Sequence, residues 1–226
     1  MCAVFFSASA LCRPVLAQTT NAMEAVGFLK EMAGAFARAQ SVASEFVQER
    51  HLSLFEEPLR SSGWLCFQRP GRIRWETTLP YQSILVCDGA GVAQFEWLNH
   101  RWQKLDLGLK EALRQSLAEI SLMMEGRYLD RQQAYEFSIN RGKDEIVLTL
   151  APKAEGARRL IAAIEVHLPP DLQGTRQVVL REPNGDFTSI RFTKQTMNAA
   201  LPPESFSLTA PVALEAIQRA LRDGKP

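Results

Sequence analysis

The sequence predicts an α+β fold built on one large antiparallel sheet. Three observations lead there. Short segments of alternating polarity follow one another closely in both halves of the chain. The links between them carry Pro, Gly and Asn residues that suit tight hairpins, and short links require antiparallel neighbours. Two longer segments place apolar residues three and four apart, as helices do, one before the first group of strands and one between the groups. Strands grouped on either side of a helix favour a single sheet over a βαβ alternation.

The elements are justified in order. Residues 21–40 read as an amphipathic helix, with Val26, Leu29, Ala33 and Phe36 on one face and Lys30, Glu31 and Arg38 left for water. Residues 41–50 switch to alternation around Phe46 and Val47. Four strands are predicted over 61–68, 72–77, 82–87 and 92–97. They are separated by Arg69-Pro70-Gly71, Leu79-Pro80 and Asp88-Gly89. A fifth, over 101–107, follows Asn99-His100. Residues 108–125 return to helical spacing through Leu109, Leu113, Leu117, Ile120 and Met124, and Gly126 can end that helix.

The second half is again β. Tyr135, Phe137 and Ile139 alternate with polar residues, as do Ile146, Leu148 and Leu150. Further strands are predicted over 161–168, 176–182 and 187–193, the last two joined by the turn Pro183-Asn184-Gly185-Asp186. Phe206 and Leu208 suggest a last short strand. Residues 211–222 suggest a small helix carrying Leu214, Ile217 and Leu221. A sheet of about ten strands is expected to curl.

Composition bounds the function. The 226 residues are 46% hydrophobic and 23% charged, and the net charge is +1. Charges of both signs are interspersed, which argues against a nucleic-acid partner. No stretch of 18 apolar residues marks a transmembrane helix. Residues 4–11 are apolar, and Val15-Leu16-Ala17 offers small residues where a signal peptidase reads, so residues 1–17 are expected to be a cleaved secretory signal. No Lys or Arg precedes the apolar run, and Arg13 falls late. Cys12 follows Leu11, too bulky for a lipoprotein cleavage site. The expected division is a main domain over 18–210 and a helical extension over 211–226. Cys66 and Cys87 would lie on the first and third strands of a meander, about 9–10 Å apart. A disulfide needs about 7 Å or less, so two buried thiols are expected.

Catalytic signatures are missing. His51, His100 and His167 are far apart and show no metal-ligand spacing. No serine sits in a nucleophile elbow, and no phosphate-cradling glycine pattern occurs. The expectation is a protein that is not an enzyme and needs no metal or cofactor.

The most informative stretch is Arg69-Pro70-Gly71-Arg72-Ile73-Arg74-Trp75-Glu76. Alternation puts Ile73 and Trp75 on one face of a strand and Arg72, Arg74 and Glu76 on the other, which reads as a wet face. The apolar face suits a packed core and a ligand cavity equally well.

The run from Gly63 to Gly89 resembles the LolA family of periplasmic lipoprotein carriers. The likeness rests on a Gly-x-hydrophobic strand, on Arg-Pro-Gly-x-x-Arg-Trp, and on a Pro before a strand ending Asp-Gly. Looser matches continue in Leu150-Ala151-Pro152-Lys153, in Asn184-Gly185-Asp186 before Thr188, Ile190 and Phe192, and in Leu201 to Phe206. The resemblance implies an incomplete, half-open antiparallel β-barrel of about ten or eleven strands, with helices forming a lid over an apolar cavity. It implies that Arg69 latches the lid. The cavity is expected to be lined by Trp64, Ile73, Trp75, Leu85, Phe95 and Trp97 from the strands, and by Leu117, Ile120, Met123 and Met124 from the lid. The implied role is a soluble, monomeric periplasmic carrier. It would take acyl chains of lipoproteins from an inner-membrane release complex to an outer-membrane acceptor. A lipid-sensing regulatory module on the same half-barrel is the alternative. The expanded stretch 155–173, with Arg158-Arg159, and the helical tail depart from the family and leave the cargo open between a lipoprotein, a glycolipid and another amphiphile.

Overall fold

The computed structural model describes residues 22–105 and 120–223. An N-terminal helix, Ala22–Ala37, leads into the first six strands: β1 (Ser41–His51), β2 (Leu59–Gln68), β3 (Arg72–Leu79), β4 (Ser83–Asp88), β5 (Val92–Leu98) and β6 (Arg101–Lys104). Residues 120–124 are helical and form the described part of the expected lid. A 3-10 turn, Tyr128–Arg131, precedes β7 (Tyr135–Arg141), β8 (Ile146–Pro152), a one-turn helix (Glu155–Arg158), β9 (Ala163–Leu168), β10 (Gln177–Arg181) and β11 (Phe187–Met197). The chain closes with a 3-10 turn, Pro203–Phe206, and a helix, Leu214–Asp223.

All eleven strands form one sheet in the order β6-β5-β4-β3-β2-β1-β11-β10-β9-β8-β7. Each half is an antiparallel meander, and the pairing of β1 with β11 joins them. β6 and β7 are the two edges, so the sheet curls without closing. The expected half-open barrel is what the chain forms. Two expectations fail at the ends of the meanders. Phe206 and Leu208 belong to no strand; Phe206 ends a 3-10 turn that Pro202 and Pro203 favour, since neither can donate to a ladder. Of the strand expected over 101–107, Arg101–Lys104 forms β6, Leu105 lies outside it, and residues 106 and 107 lie outside the described residues.

Register decides what each face carries. Leu65 pairs with Trp75 and Phe67 with Ile73, while Trp75 pairs with Leu85 and Ile73 with Cys87. These side chains share one face, and with Phe46 and Phe192 they form a cluster under Ile120 and Met124. In the second half the same face packs Leu148, Leu150, Val166 and Leu168 against Phe28, Leu29 and Met32 of the N-terminal helix. This is the concave side. The other parity of the first half places Cys66, Arg74, Val86 and Ala93 in one row and Trp64, Glu76, Ile84 and Phe95 in the next. That convex side is also dry, because Leu201, Phe206 and Ile217 of the C-terminal segment cover it.

The expectation of a wet face at Arg74 and Glu76 is therefore overturned. Arg74 is 1% exposed and Glu76 5%. Arg74 donates from Nε and Nη2 to one carboxylate oxygen of Glu76, at 2.9 and 2.7 Å. It also donates to the carbonyls of Ser205 and Val212, tying the C-terminal segment down. A second, apolar layer on this face cannot be seen from β3 alone. It depends on a segment more than a hundred residues later.

Candidate functional site: a latched lid over a concave apolar face

Arg69 sits at the β2–β3 turn, and its backbone N–H donates to the Gln40 carbonyl. Its side chain reaches three further carbonyls: Nε to Ala39 at 2.9 Å, and Nη2 to Phe36 at 3.2 Å and Glu125 at 3.0 Å. The Phe36 carbonyl belongs to the last turn of the N-terminal helix and the Glu125 carbonyl follows the lid helix. Helix ends present carbonyls with no partner inside the helix, and a cation there also meets the negative end of the dipole. One guanidinium thus ties two helix ends to one hairpin. The Glu125 carboxylate adds a contact at 3.6 Å to Arg69, a second at 3.6 Å to Arg127, and accepts from the Ser121 hydroxyl. Gly126, at φ 73, turns the chain away against Phe36.

The lid residues divide between two clusters. Met123 packs on the cluster of the N-terminal helix, and Ile120 and Met124 pack on the strand cluster around Phe46. Flexible thioethers suit such a seam. Between lid, N-terminal helix and strands lies a gap lined by Phe36, Val42, Leu65, Met124, Phe192 and Met197, with free volume of about 20 Å³. That is space for about one water molecule and far too little for an acyl chain.

Of the expected cavity residues, Ile73, Trp75, Leu85, Ile120 and Met124 gather on the concave cluster, Trp75 meeting Phe46 at a tilt of 33° with ring centroids 4.3 Å apart. Met123 lies beside it. Trp64, Phe95 and Trp97 are placed on the other face. Trp64 pairs with Glu76 and Phe95 with Ile84, on the convex parity. Trp97, two residues beyond Phe95, is 42% exposed and meets Trp102 edge-on. Leu117 lies outside the described residues. Size and apolarity single these aromatics out, but strand period alone sets their face. The same count, carried from Ile73 across the hairpin, finds Leu65 and Phe67. Phe192 falls on the strand expected over 187–193, whereas nothing local marks Met197.

Cys66 and Cys87 are free thiols, as expected, on opposite faces with β3 between them. Burial pushes the Cys66 thiol up to about 12. Among the described residues no group of three or more His, Cys, Asp or Glu could hold a metal ion, and no helix is long and apolar enough to cross a membrane.

A family described as "Outer membrane lipoprotein carrier protein LolA" matches residues 37–209. The chain belongs to the LolA family. The match begins at the end of the N-terminal helix, contains the whole sheet and the Arg69 turn, and ends before the C-terminal helix. Among individual relatives, an outer-membrane lipoprotein carrier protein of Dechloromonas aromatica is 24% identical over 90% of each chain. Another from Bordetella avium is 25% identical, covering 80% of this chain and 83% of its own. A solved LolA superfamily protein from Nitrosomonas europaea is 9% identical with a TM-score of 0.45, covering 81% of this chain and 97% of its own. LolA family members are carriers and not enzymes, in keeping with the absence of catalytic signatures in the sequence.

Proposed function

We propose that this LolA family protein is a soluble periplasmic carrier. It takes up acyl chains of a lipoprotein or a related amphiphile under the lid and moves them toward the outer membrane. The observation that carries this reading is Arg69, whose one side chain joins two helix ends to the sheet over a continuous apolar face. Arg69 is only partly buried and holds the lid by a few hydrogen bonds, so the contacts it makes can be broken and remade.

The energetics fit the role. Each buried methylene is worth roughly 0.8 kcal/mol, so a sixteen-carbon chain represents about 12 kcal/mol. The closed interior has no room for such a chain. Lid and latch must move aside, and the apolar contacts they surrender are replaced by the chain. A latch of a few hydrogen bonds keeps that exchange near balance, so that uptake and release both remain accessible. The partners on this reading are a lipidated protein, an inner-membrane complex that releases it and an outer-membrane acceptor, met by a monomer after removal of residues 1–17.

The test is the native cargo. The full chain is expressed in a Gram-negative host, isolated from the periplasmic fraction, and extracted for mass spectrometry of acyl species. Co-purifying lipid or lipoprotein is expected. Recovery of protein that carries none, and that fails to bind added acyl probes, would overturn the reading.

A further inference from the structure

Large apolar side chains exposed singly are ordinary on a protein surface, but here they gather at one place. The meander of the first half puts three connections at one end of the sheet: the β1–β2 loop, the β3–β4 turn and the β5–β6 turn. Leu54 and Phe55 are exposed on the first. Leu79 and Tyr81, exposed on either side of Pro80, belong to the second, and Trp97 and Leu98, also exposed, lead into the third. The two turns at the opposite end are Arg69-Pro70-Gly71 and Gly89-Ala90-Gly91, and neither carries such a residue.

These tips are held firmly. Asn99 and His100 both have left-handed φ, 52 and 61, as a two-residue hairpin turn matched to the strand twist requires. That turn sets Leu98 opposite Arg101, and Trp97 meets Trp102 edge-on across the hairpin. The β1–β2 loop is fixed at its start, where the Ser53 N–H donates to the Asp186 carboxylate at 2.7 Å. The apolar side chains are thus displayed on ordered backbone, and a contact made through them costs little further ordering.

Size and charge decide what such an edge can meet. Neighbouring tips stand two strand spacings apart, about 10 Å, so the three form a strip about 20 Å long and one loop wide. A stable protein complex buries about 800 Å² on each side, several times what this strip offers. A bilayer demands no matching relief, because each tip can sink into it by the depth of a side chain. Trp and Tyr favour the headgroup level and Leu and Phe the acyl boundary beneath it. The ionisable residues of the strip carry both signs, Glu56 and Glu57 against His100 and Arg101, while Arg60 is paired with Glu49 at 3.0 Å. A strip of mixed sign suits zwitterionic headgroups and gains nothing from a strongly anionic surface.

We infer that this edge is a membrane-contact surface, which seats the protein shallowly and reversibly on a zwitterionic bilayer with the latch end pointing away. The inference goes beyond the carrier reading. It assigns the surface that meets lipid headgroups, and it is tested without any cargo.

The experiment is co-sedimentation of the full chain with phosphatidylcholine vesicles, at low and high salt. Binding is expected at both, since no net attraction of charge is involved. Replacing both Leu79→Asn and Leu98→Asn is expected to weaken it about tenfold, as loss of two apolar insertions should, with the melting temperature unchanged because both side chains are exposed. Val47→Thr removes an exposed apolar group in mid-strand, away from the tips, and is expected to have no effect. Brominated phosphatidylcholine is expected to quench the fluorescence of the unmodified protein more than that of Trp97→Phe. Failure of the unmodified protein to bind, binding to anionic vesicles alone with loss at high salt, or equal binding by the double variant would each overturn the inference. So would a dimer in light scattering that the double variant dissolves, which would make the edge an interface between two copies. Binding of an acyl probe is read separately, so a protein that takes the probe and ignores vesicles overturns the membrane contact and leaves the carrier reading standing.

Discussion

Arg69 and Glu125 are joined twice, by a 3.0 Å hydrogen bond from the guanidinium to the Glu125 carbonyl and by a 3.6 Å contact to its carboxylate. Fifty-six residues separate them in the chain. The same guanidinium holds the Phe36 and Ala39 carbonyls, so its loss frees the lid from both other bodies at once. Arg69→Leu is expected to speed amide exchange over residues 120–126 and to impair transfer of a bound acyl probe to acceptor vesicles. The urea midpoint should change little. Arg72 donates to Gln68 at 3.4 Å and touches neither helix end, so Arg72→Leu is expected to leave exchange and transfer alone. Equal effects of the two substitutions would make Arg69 an ordinary turn residue.

The pair Arg74–Glu76 has the opposite character, since nothing about it needs to open. Burial raises the pKa of the Glu76 carboxyl, against the attraction of Arg74. Removing the cation alone strands a buried carboxylate. Arg74→Met is expected to cost about 3–5 kcal/mol at neutral pH. A carboxyl with a raised pKa is better tolerated protonated, so the variant should regain stability as pH falls and lose it again as pH rises through the folded-state value. Replacing both residues, Arg74→Met with Glu76→Leu, is expected to restore most of the loss, because a buried ion pair is often matched by apolar residues of similar volume. Urea unfolding across pH reads all three. A double variant as unstable as the single one would mean that the Ser205 and Val212 contacts, and not the stranded charge, carry the cost.

How much of this the sequence discloses depends on the range of the signal. The strands announce themselves locally, because alternation and turn residues act within ten residues, and the eleven strands fall close to their expected positions. Faces are harder. Parity places Ile73 and Trp75 correctly, whereas size groups Trp64, Phe95 and Trp97 with them although the hairpin registers put these opposite. The polar character of Arg74 and Glu76 suggests water, and only the C-terminal segment folding back shows otherwise. The latch lies in between. The Arg69 position is legible from the turn and the family resemblance, but its three carbonyl partners come from two helices whose ends no local pattern brings together. The bulge in β11, where Ala43 faces Thr196 but Glu45 faces Thr193 and Lys194 turns left-handed at φ 51, leaves no mark in the sequence at all.

The turn that ends β4 makes the fold acid-sensitive. Asp88 accepts from the N–H groups of Gly91 at 2.7 Å and Ala90 at 2.9 Å, and these bonds hold its carboxyl below the ordinary range. Asp186 is lowered likewise by the Ser53 N–H, at 2.7 Å, across to the β1–β2 loop. A carboxylate with a depressed folded-state pKa contributes its full stabilisation above the unfolded value of about 3.9, and loses it as pH falls through the folded value. Stability is therefore expected to fall below about pH 4. Asp88→Asn should lower stability at neutral pH and flatten that fall. An unchanged slope, measured by urea midpoints between neutral and acid pH, would assign the acid response to other carboxylates.

Two glycines separate a packing requirement from a conformational one. β2 and β3 shift register between Ser62 and Gly63, and the strands come so close that a Cβ on Gly63 would run into the Glu76 carbonyl. The obstacle is backbone on both sides, so it cannot rotate away. Gly63→Ala is expected to cost about 1–3 kcal/mol or more. It should also disturb the Arg74–Glu76 pair next to it. Gly27 lies in the N-terminal helix, and a methyl group added there would meet nothing within 4 Å. Alanine at that position removes conformational freedom from the unfolded chain and touches no neighbour, so Gly27→Ala is expected to stabilise by about 0.5–1 kcal/mol. Thermal melts of the two variants should move in opposite directions. A stabilising Gly63→Ala would mean that β2 and β3 can separate at this point, and the close register that places Trp75 on the concave face would not be enforced there.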